Sequence, residues 1–532
     1  MDPAPAILAS DETIAACLKR RAATQPDAVF CEFRGESWCV AQVYAHAVAI
    51  AHELWALGLR PGDRVALMLP TRPQHLFTLF GLALLGLVRV PVNIHLRGAP
   101  LANLFEQLKP DALIADPEYR EALGSWADAV GRVLWRPASC DDEGVPPAAA
   151  SALVPTPTPT PTPTPAPLPT DGPGPDDLLA LALSSGTTGS PKGVCKSDRH
   201  LRAGAQAMLR LTQAGPGDVF LFWESLHHGS GVAVALGALL GGYRLAMVER
   251  FSASQFWSDA QACGATHVHY LGSVVPMLMN QPPRDGDRQH GVRIAWGGGC
   301  PSHLWPAFAE RFGVQVREGY GLTELLTFVT LNRDGPVGSI GRPLDEYELV
   351  LRDEQGQPVA DGVPGEITLR SRVAGLQFLG YFNSPEADAA SQRSGWFHTG
   401  DLATRDAEGW LYYAGRQKEM LRRRGINVSA WEVEQVFAGH PDIEEVALLG
   451  VAGDLGDDEL KLVVRLRDGR HPDPLALVRW AEPRLAYFQI PRYIAFIDVF
   501  PKTPTQRIQK KELSRSTEGV WDLDASGHRI AR

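Results

Sequence analysis

Two stretches of this 532-residue chain concentrate side chains that can handle phosphate. Residues 182–194, ALSSGTTGSPKGV, hold ten Gly, Ser, Thr, Pro or Lys residues, and they overlap the end of DLLALAL, which reads as a buried strand. A phosphate cradle needs close backbone approach, which Gly186, Gly189 and Gly193 allow. It also needs hydroxyl donors, and Ser184, Ser185, Thr187, Thr188 and Ser190 supply them. Lys192 adds a point charge. The spacing is not G-x-x-x-x-G-K-[ST], because the lysine follows a proline and neither Ser nor Thr comes next. Helix signals resume at Ser197, so the sequence predicts a loop between a strand end and a helix start, the usual anion position in α/β folds. On composition alone, a flexible surface loop is the plainer alternative.

The second stretch, VREGYGLTE at 316–324, sets Tyr320, two glycines, Thr323 and Glu324 on what reads as a loop after a strand. Further along, HTGDL contains Asp401, a carboxylate able to accept two hydroxyls at once. SLHHGSG at 225–231 pairs His227 with His228, and no third ligand stands at suitable spacing, so a metal centre is not expected there. AWGGGCP at 295–301 is a glycine-rich segment in which Trp296 is either a pocket floor or simple core.

The elements that must hold these stretches follow from turns and apolar runs. LRPGDRVALMLP gives a turn and a strand, LFTLFGLALLGLV a buried helix too short to span a membrane, and VRVPVNIHL another strand. Strands recur at DALIAD, DVFLFW and ATHVHYLG, separated by helix-length segments, which predicts parallel sheets with helices on both faces. VPTPTPTPTPTPAPLPT at 154–170 is a polyproline-type linker. After Gly338 short strands and Gly-rich turns predict a small β-rich subdomain. From Ile426 onward, Ser429 and Glu432 form an S-x-x-E capping box ahead of strands at EEVALLGV, KLVVRL and YIAFIDVF, an α+β unit of its own.

Composition narrows the function. With 61 acidic and 51 basic side chains the net charge is −10, which argues against a broad nucleic-acid surface. Seven cysteines without a CxxC pair give neither a zinc framework nor a disulfide scaffold. No export signal is read in the first residues, so a cytoplasmic protein is expected.

Together these motifs resemble the adenylate-forming superfamily, which contains acyl-CoA synthetases, the adenylation domains of peptide synthetases and firefly luciferase. The resemblance runs from RPGDRVALMLP to PKTPTQRIQKKEL. It implies an α/β fold: a large N-terminal domain (1–415) of doubly wound α/β subdomains plus a small β-rich subdomain, a hinge at 416–419, and a mobile small α+β C-terminal domain (420–532). It also implies an acid–thiol ligase using ATP, Mg2+ and coenzyme A. Ser184, Ser185, Gly186, Thr187, Thr188, Gly189 and Lys192 would hold the β- and γ-phosphates. Tyr320, flanked by Glu318, Gly319 and Gly321, would stack on adenine near Gly298 and Gly299. Thr323 would meet the α-phosphate and Glu324 would carry Mg2+. Asp401 and Arg416 would take the ribose, His228 the mouth of the acyl pocket, Glu419 the hinge. Gly425 and the basic run Arg422, Arg423 and Arg424 would face CoA.

The family's C-terminal P-T-G-K-I lysine is replaced: PTQRIQKK puts Gln506 and Arg507 at the Gly-Lys places, with Lys510 as a substitute cation. Arginine keeps the charge in a wider planar fork. LRGAPL and YFQIPRYIAFIDVFPKTPTQR look most like the crotonobetaine/carnitine-CoA ligase branch. A betaine would want aromatic faces and an acid, and Trp223, Glu224 and Trp296 are candidates; the plainer reading makes Trp223 the end of a core strand and Glu224 a surface residue. The expected partners are therefore a small carboxylic acid, ATP and CoA, with no nucleic acid and no membrane span, and with oligomeric state left open, a homodimer included. The rival readings are an enzyme that loads an aryl or acyl group on a carrier protein, and a nucleotide-binding homologue weakened by loss of the lysine.

Overall fold

The computed structural model describes residues 11–136, 168, 172–184, 192–423, 426–452, 458–502 and 508–530. Ser185, Gly186, Thr187, Thr188, Gly189, Arg424, Gly425, Arg507 and, apart from Leu168, the Pro/Thr linker lie outside them.

Among the described residues, two large sheets carry the N-terminal domain. The six-stranded sheet runs in the order Val133–Trp135, Ala112–Ala115, Arg64–Met68, Val88–Pro91, Leu178–Leu183, Gly193–Ser197, parallel except for its last pair. The nine-stranded sheet centres on Gln315–Tyr320, Ile294–Gly298, His267–Leu271, Val219–Phe222 and Arg244–Met247, all parallel, with antiparallel strands at both edges. Strand–helix alternation forces this arrangement, because each crossover lays an apolar helix on a sheet face. The helix Pro73–Leu85 is buried over nearly its whole length, as the run of apolar residues requires, and it ends at Gly86 (φ 68°), just before the next strand at Val88. It lies in one apolar core with the helices Asp198–Thr212 and Gly229–Gly241.

A five-stranded antiparallel sheet follows, with Trp396–Arg405 between Gly365–Ser371 and Leu411–Arg416. The C-terminal domain opens with the hairpin Met420–Arg423 and Ile426–Ser429. It then packs helices Ala430–Ala438 and Pro474–Ala481 on a four-stranded sheet with its own core. Ser429 caps the first helix as expected, accepting from Glu432 N–H at 3.3 Å, but the reciprocal half of the box is absent: Glu432 accepts from Gln489 Nε2 instead. Ser429 also donates to Ala414 O at 2.8 Å and Trp431 meets Tyr413 edge-on, so the helix start abuts the larger domain.

Two local expectations are corrected. The segment between Lys192 and the helix start expected at Ser197 is a strand, Gly193–Ser197, not loop, and it pairs antiparallel with Leu178–Leu183. The Gly/Ser/Thr loop is thus the connection of a hairpin, and the helix begins only at Asp198, with Ser197 as its N-cap. Likewise Glu318, Gly319 and Tyr320 lie within the strand Gln315–Tyr320, and the loop starts at Gly321. Single residues at a strand's carboxyl end look like loop in sequence; cross-strand pairing of Glu318 with Asn332 and of Tyr320 with Thr330 keeps them extended.

Candidate active site

The phosphate hairpin closes at its base through Ser184 and Lys192: Ser184 N–H donates to Lys192 O at 3.0 Å, and Lys192 N–H to Ser184 Oγ at 3.3 Å. Both residues therefore sit at the mouth of the segment predicted to hold phosphate. Lys192 Nζ lies 4.9 Å from the centroid of the Tyr381 ring. Four residues on, within the strand Gly193–Ser197, Lys196 is buried, and its ammonium donates to Leu325 O. Burial pulls its pKa down to about 7, against the opposing pull of Glu324.

The strand Gln315–Tyr320 delivers the second group of residues. At its end the chain reverses, with Val329 N–H donating to Tyr320 O at 2.7 Å. Gly321 is required at that reversal: a Cβ there would stand 2.0 Å from Thr327 O. The reversal presents Thr323 and Glu324 half-buried, and Tyr381 O–H donates to Glu324 Oε1 at 3.0 Å. A carboxylate oriented by a hydroxyl, beside a lysine-bearing hairpin, fits a hard divalent cation in donor chemistry. Among the described residues no cluster of three His, Cys, Asp or Glu side chains suited to a metal occurs.

Asp401 stands at the other end of the site, 5% exposed, and it collects three donors. Tyr320 O–H donates to Oδ2 at 2.7 Å, Tyr413 O–H to Oδ1 at 3.2 Å, and Arg416 Nε lies 3.0 Å from Oδ1. Arg416 is the direct cross-strand partner of Asp401, which explains how residues fifteen apart in a hairpin come to share one charge. The phenols of Tyr320 and Tyr413 are pushed far above the usual tyrosine range by burial and by Asp401, so both remain donors.

Gly298 ends the neighbouring strand and Gly299 follows it, in a turn that Glu318 holds. Its carboxylate accepts from Gly299 N–H, from Cys300 N–H at 3.2 Å and from Tyr270 O–H at 2.5 Å. Gly299 has φ +84°, a conformation that L side chains rarely adopt. Glu318 thus shapes the glycine wall from behind, and burial lifts its pKa to about 8.

His228 is the N-cap of Gly229–Gly241, its N–H bonded to Ser225 O at 3.0 Å. His227 pairs with Ser225 Oγ; burial, with His228, His75, His95 and Arg89 nearby, takes it down to about 3, so it is neutral at ordinary pH. Glu224 is no surface residue: it is 3% exposed and lies 3.1 Å from His269 Nδ1. Trp223 follows the strand Val219–Phe222 and Trp296 is wholly buried, its ring 4.4 Å from that of His269.

Lys510 Nζ is 2.9 Å from Glu419, the residue expected at the hinge, and 2.8 Å from Glu434, so this cation is committed to those two carboxylates. Arg423 is also spoken for, bonding Ile490 O at 2.6 Å and Glu459 at 2.8 Å inside the small domain. A CoA role for Arg423 is therefore withdrawn, while Arg422 is exposed. Tyr381, Tyr413, Lys196 and His269 were not singled out from sequence. Only Lys196 carried a signal, as a charge within an otherwise apolar strand.

A pair of α/β sheets with polar and charged side chains gathered at the carboxyl ends of strands, followed by a smaller C-terminal domain, defines the fold class of a nucleotide-using α/β enzyme. The chain belongs to the AMP-binding enzyme family: the family's model matches residues 18–382, and that of the AMP-binding enzyme C-terminal domain matches 432–507. It is 31% identical over 474 residues to the crotonobetaine/carnitine–CoA ligase of Shigella dysenteriae, covering 87% of this chain and 90% of that protein. Among solved structures it is similar to ATP-bound MatB from Rhodopseudomonas palustris, with a TM-score of 0.83 and 24% identity, over 94% of this chain and 98% of that one. It also matches the o-succinylbenzoate CoA synthetase MenE from Bacillus subtilis in complex with ATP and magnesium ion, with a TM-score of 0.80 and 22% identity, over 93% and 98%.

Proposed function

We propose that this chain is an ATP-dependent acyl-CoA ligase, which activates a carboxylic acid as its acyl adenylate and then forms the CoA thioester. The observation that carries the residue roles is the order of groups along one strand and its reversal. Tyr320, bonded to Asp401, ends the strand; four residues on, Glu324 is bonded to Tyr381 beside Lys192. That spread suits a ribose at one end and a polyphosphate at the other.

In this reading Asp401 accepts the ribose hydroxyls, with Arg416 and Tyr413 fixing its oxygens, and the strand ends at Gly298, Gly299 and Tyr320 flank adenine. Lys192, Ser184 and the loop residues Ser185 to Gly189 neutralise the β- and γ-phosphates, and Thr323 meets the α-phosphate. Glu324 holds Mg2+, which when bound offsets charge on the departing pyrophosphate. The substrate carboxylate attacks the α-phosphorus, the bond to the β-phosphate oxygen breaks, and pyrophosphate leaves. The CoA sulfur then attacks the acyl carbonyl and AMP leaves. No protein nucleophile is needed; the residues position and neutralise. Arg507 supplies the cation that meets the substrate carboxylate, Gly425 and the exposed Arg422 face CoA, and the domain at 420–532 pivots about 416–419 between the two steps.

The relative of Shigella dysenteriae is named for crotonobetaine and carnitine. In this chain Glu224 is 3% exposed and faces His269 Nδ1 at 3.1 Å, so its carboxylate is taken up by a core contact rather than presented as a counter-charge for a quaternary ammonium, and a carboxylic acid without one fits better. Among the described residues no helix is long and apolar enough to cross a membrane, and we assign the enzyme to the cytoplasm on its cysteine usage.

AMP formation is the test, with ATP, Mg2+ and short, medium and aromatic acids plus carnitine, each with and without CoA. AMP that requires both one acid and CoA supports the ligase and names its substrate class. No AMP from any acid, with ATP binding intact, overturns it in favour of a silent homologue; Arg507→Lys then tests the replaced cation by whether AMP formation rises.

A further inference from the structure

Tyr381 lies outside every motif that pointed to the nucleotide. Its segment is laid antiparallel along the second strand of the phosphate hairpin: Val194 and Tyr381 form a bridge, Cys195 N–H donates to Gly380 O at 3.0 Å, and Phe382 N–H donates to Gly193 O at 2.7 Å. The side chain therefore has a fixed origin on the hairpin that carries Lys192. Its hydroxyl reaches Glu324 Oε1 at 3.0 Å, and Lys192 Nζ lies 4.9 Å from its ring centroid. Burial and the Glu324 charge hold the phenol far above its ordinary range, so it donates at any working pH.

The chemistry of this arrangement is separation of opposite charges. An ammonium and a carboxylate in one cleft attract each other, and a direct pair would leave neither free for phosphate or cation. Here the lysine is met by the π face and the carboxylate by the hydroxyl of the same side chain, which stands between the two charges. Lys196 completes the support, since its ammonium binds Leu325 O, the residue after Glu324, from within the core.

We propose that Tyr381 is a positioning residue for the adenylation step, orienting Glu324 toward Mg2+ while keeping Lys192 apart from it; this role rests on the ligase reading above. Tyr381→Phe keeps the ring and removes only the hydroxyl. The test is isothermal titration calorimetry of ATP with and without Mg2+ on the wild type, Tyr381→Phe, Glu324→Gln and the double variant, with thermal melts to verify folding. In the wild type Mg2+ raises ATP affinity; Tyr381→Phe is expected to lose roughly tenfold of that gain, the worth of one charge-assisted hydrogen bond, while Mg2+-free affinity moves by less than about twofold. In the Glu324→Gln background the same substitution is expected to cost no further Mg2+-dependent affinity, because the carboxylate that Tyr381 orients toward Mg2+ is no longer charged. An unchanged Mg2+ gain in Tyr381→Phe, or an equal loss in the Glu324→Gln background, overturns the role and leaves the ligase reading standing. A wild type that binds no ATP under either condition overturns that reading first, and this role with it.

Discussion

Asp401 shows how much one carboxylate can organise. It is 5% exposed and accepts from Tyr320, Tyr413 and Arg416, so a ligand hydroxyl arriving there meets acceptor oxygens already fixed in direction. Asp401→Ala removes the acceptor and strands a half-buried guanidinium. ATP affinity by calorimetry is expected to fall by roughly 10- to 100-fold, the range for losing hydrogen bonds to a charged group. Lys196 offers a second case at this scale. Its folded pKa of about 7 lies below its ordinary 10.5, so the unfolded chain binds more protons between those values, and this residue makes stability rise with pH across that window. Lys196→Met is expected to flatten that part of the stability profile measured by urea unfolding. Tyr413 was not legible as a site residue, because nothing in a one-dimensional pattern says that a tyrosine on the returning strand of a hairpin faces an aspartate on the other, whereas Lys196 carried only the signal of a charge within a strand.

At the scale of elements, two devices set the geometry of the site: the reversal after Gln315–Tyr320 and the linkage at the hinge. Gly321→Ala would drive a Cβ to 2.0 Å from Thr327 O, so the reversal must shift and carry Thr323 and Glu324 with it. Acid-dependent AMP formation is expected to drop by about 100-fold or more, the scale of an ångström misplacement, while circular dichroism stays near wild type. The hinge linkage joins Glu419, Lys510 and Glu434. Lys510→Met leaves Glu434 facing Glu419 without a cation, and thermal unfolding of the small domain is expected to weaken by on the order of 1–2 kcal/mol, partly screened because both Lys510 and Glu419 retain some exposure. Hairpin and hinge were read differently from sequence. A hinge position followed from the resemblance, whereas the strand at Gly193–Ser197 was hidden by the helix-start signal that comes immediately after it.

For the whole molecule, acid sensitivity follows from imidazoles buried in neutral form. His75 and His200 are held near 3 and His267 near 4, in each case chiefly by burial. The unfolded chain binds these protons near 6.5, so stability is expected to decline as pH falls from about 6.5 toward 3, by about 1.4 kcal/mol per pH unit for each imidazole. Melting temperatures across that range check it, and a flat profile between pH 6 and pH 4 would contradict the burial of all three. Alternation of strands and helices and the change of texture after Gly338 sufficed to indicate an α/β fold with a separate C-terminal unit, because periodic burial is a property of local sequence, whereas the ligase reading came from the resemblance of the motifs to the adenylate-forming superfamily. Glu224 marks where that stopped: as one acid after a strand it read as surface, yet His269, forty-five positions on, pairs with it in the core. Which carboxylates are free for a ligand and which are consumed by a partner was decided only by the tertiary structure, because ion pairs form between residues that meet across strands and domains, at distances that no local pattern encodes.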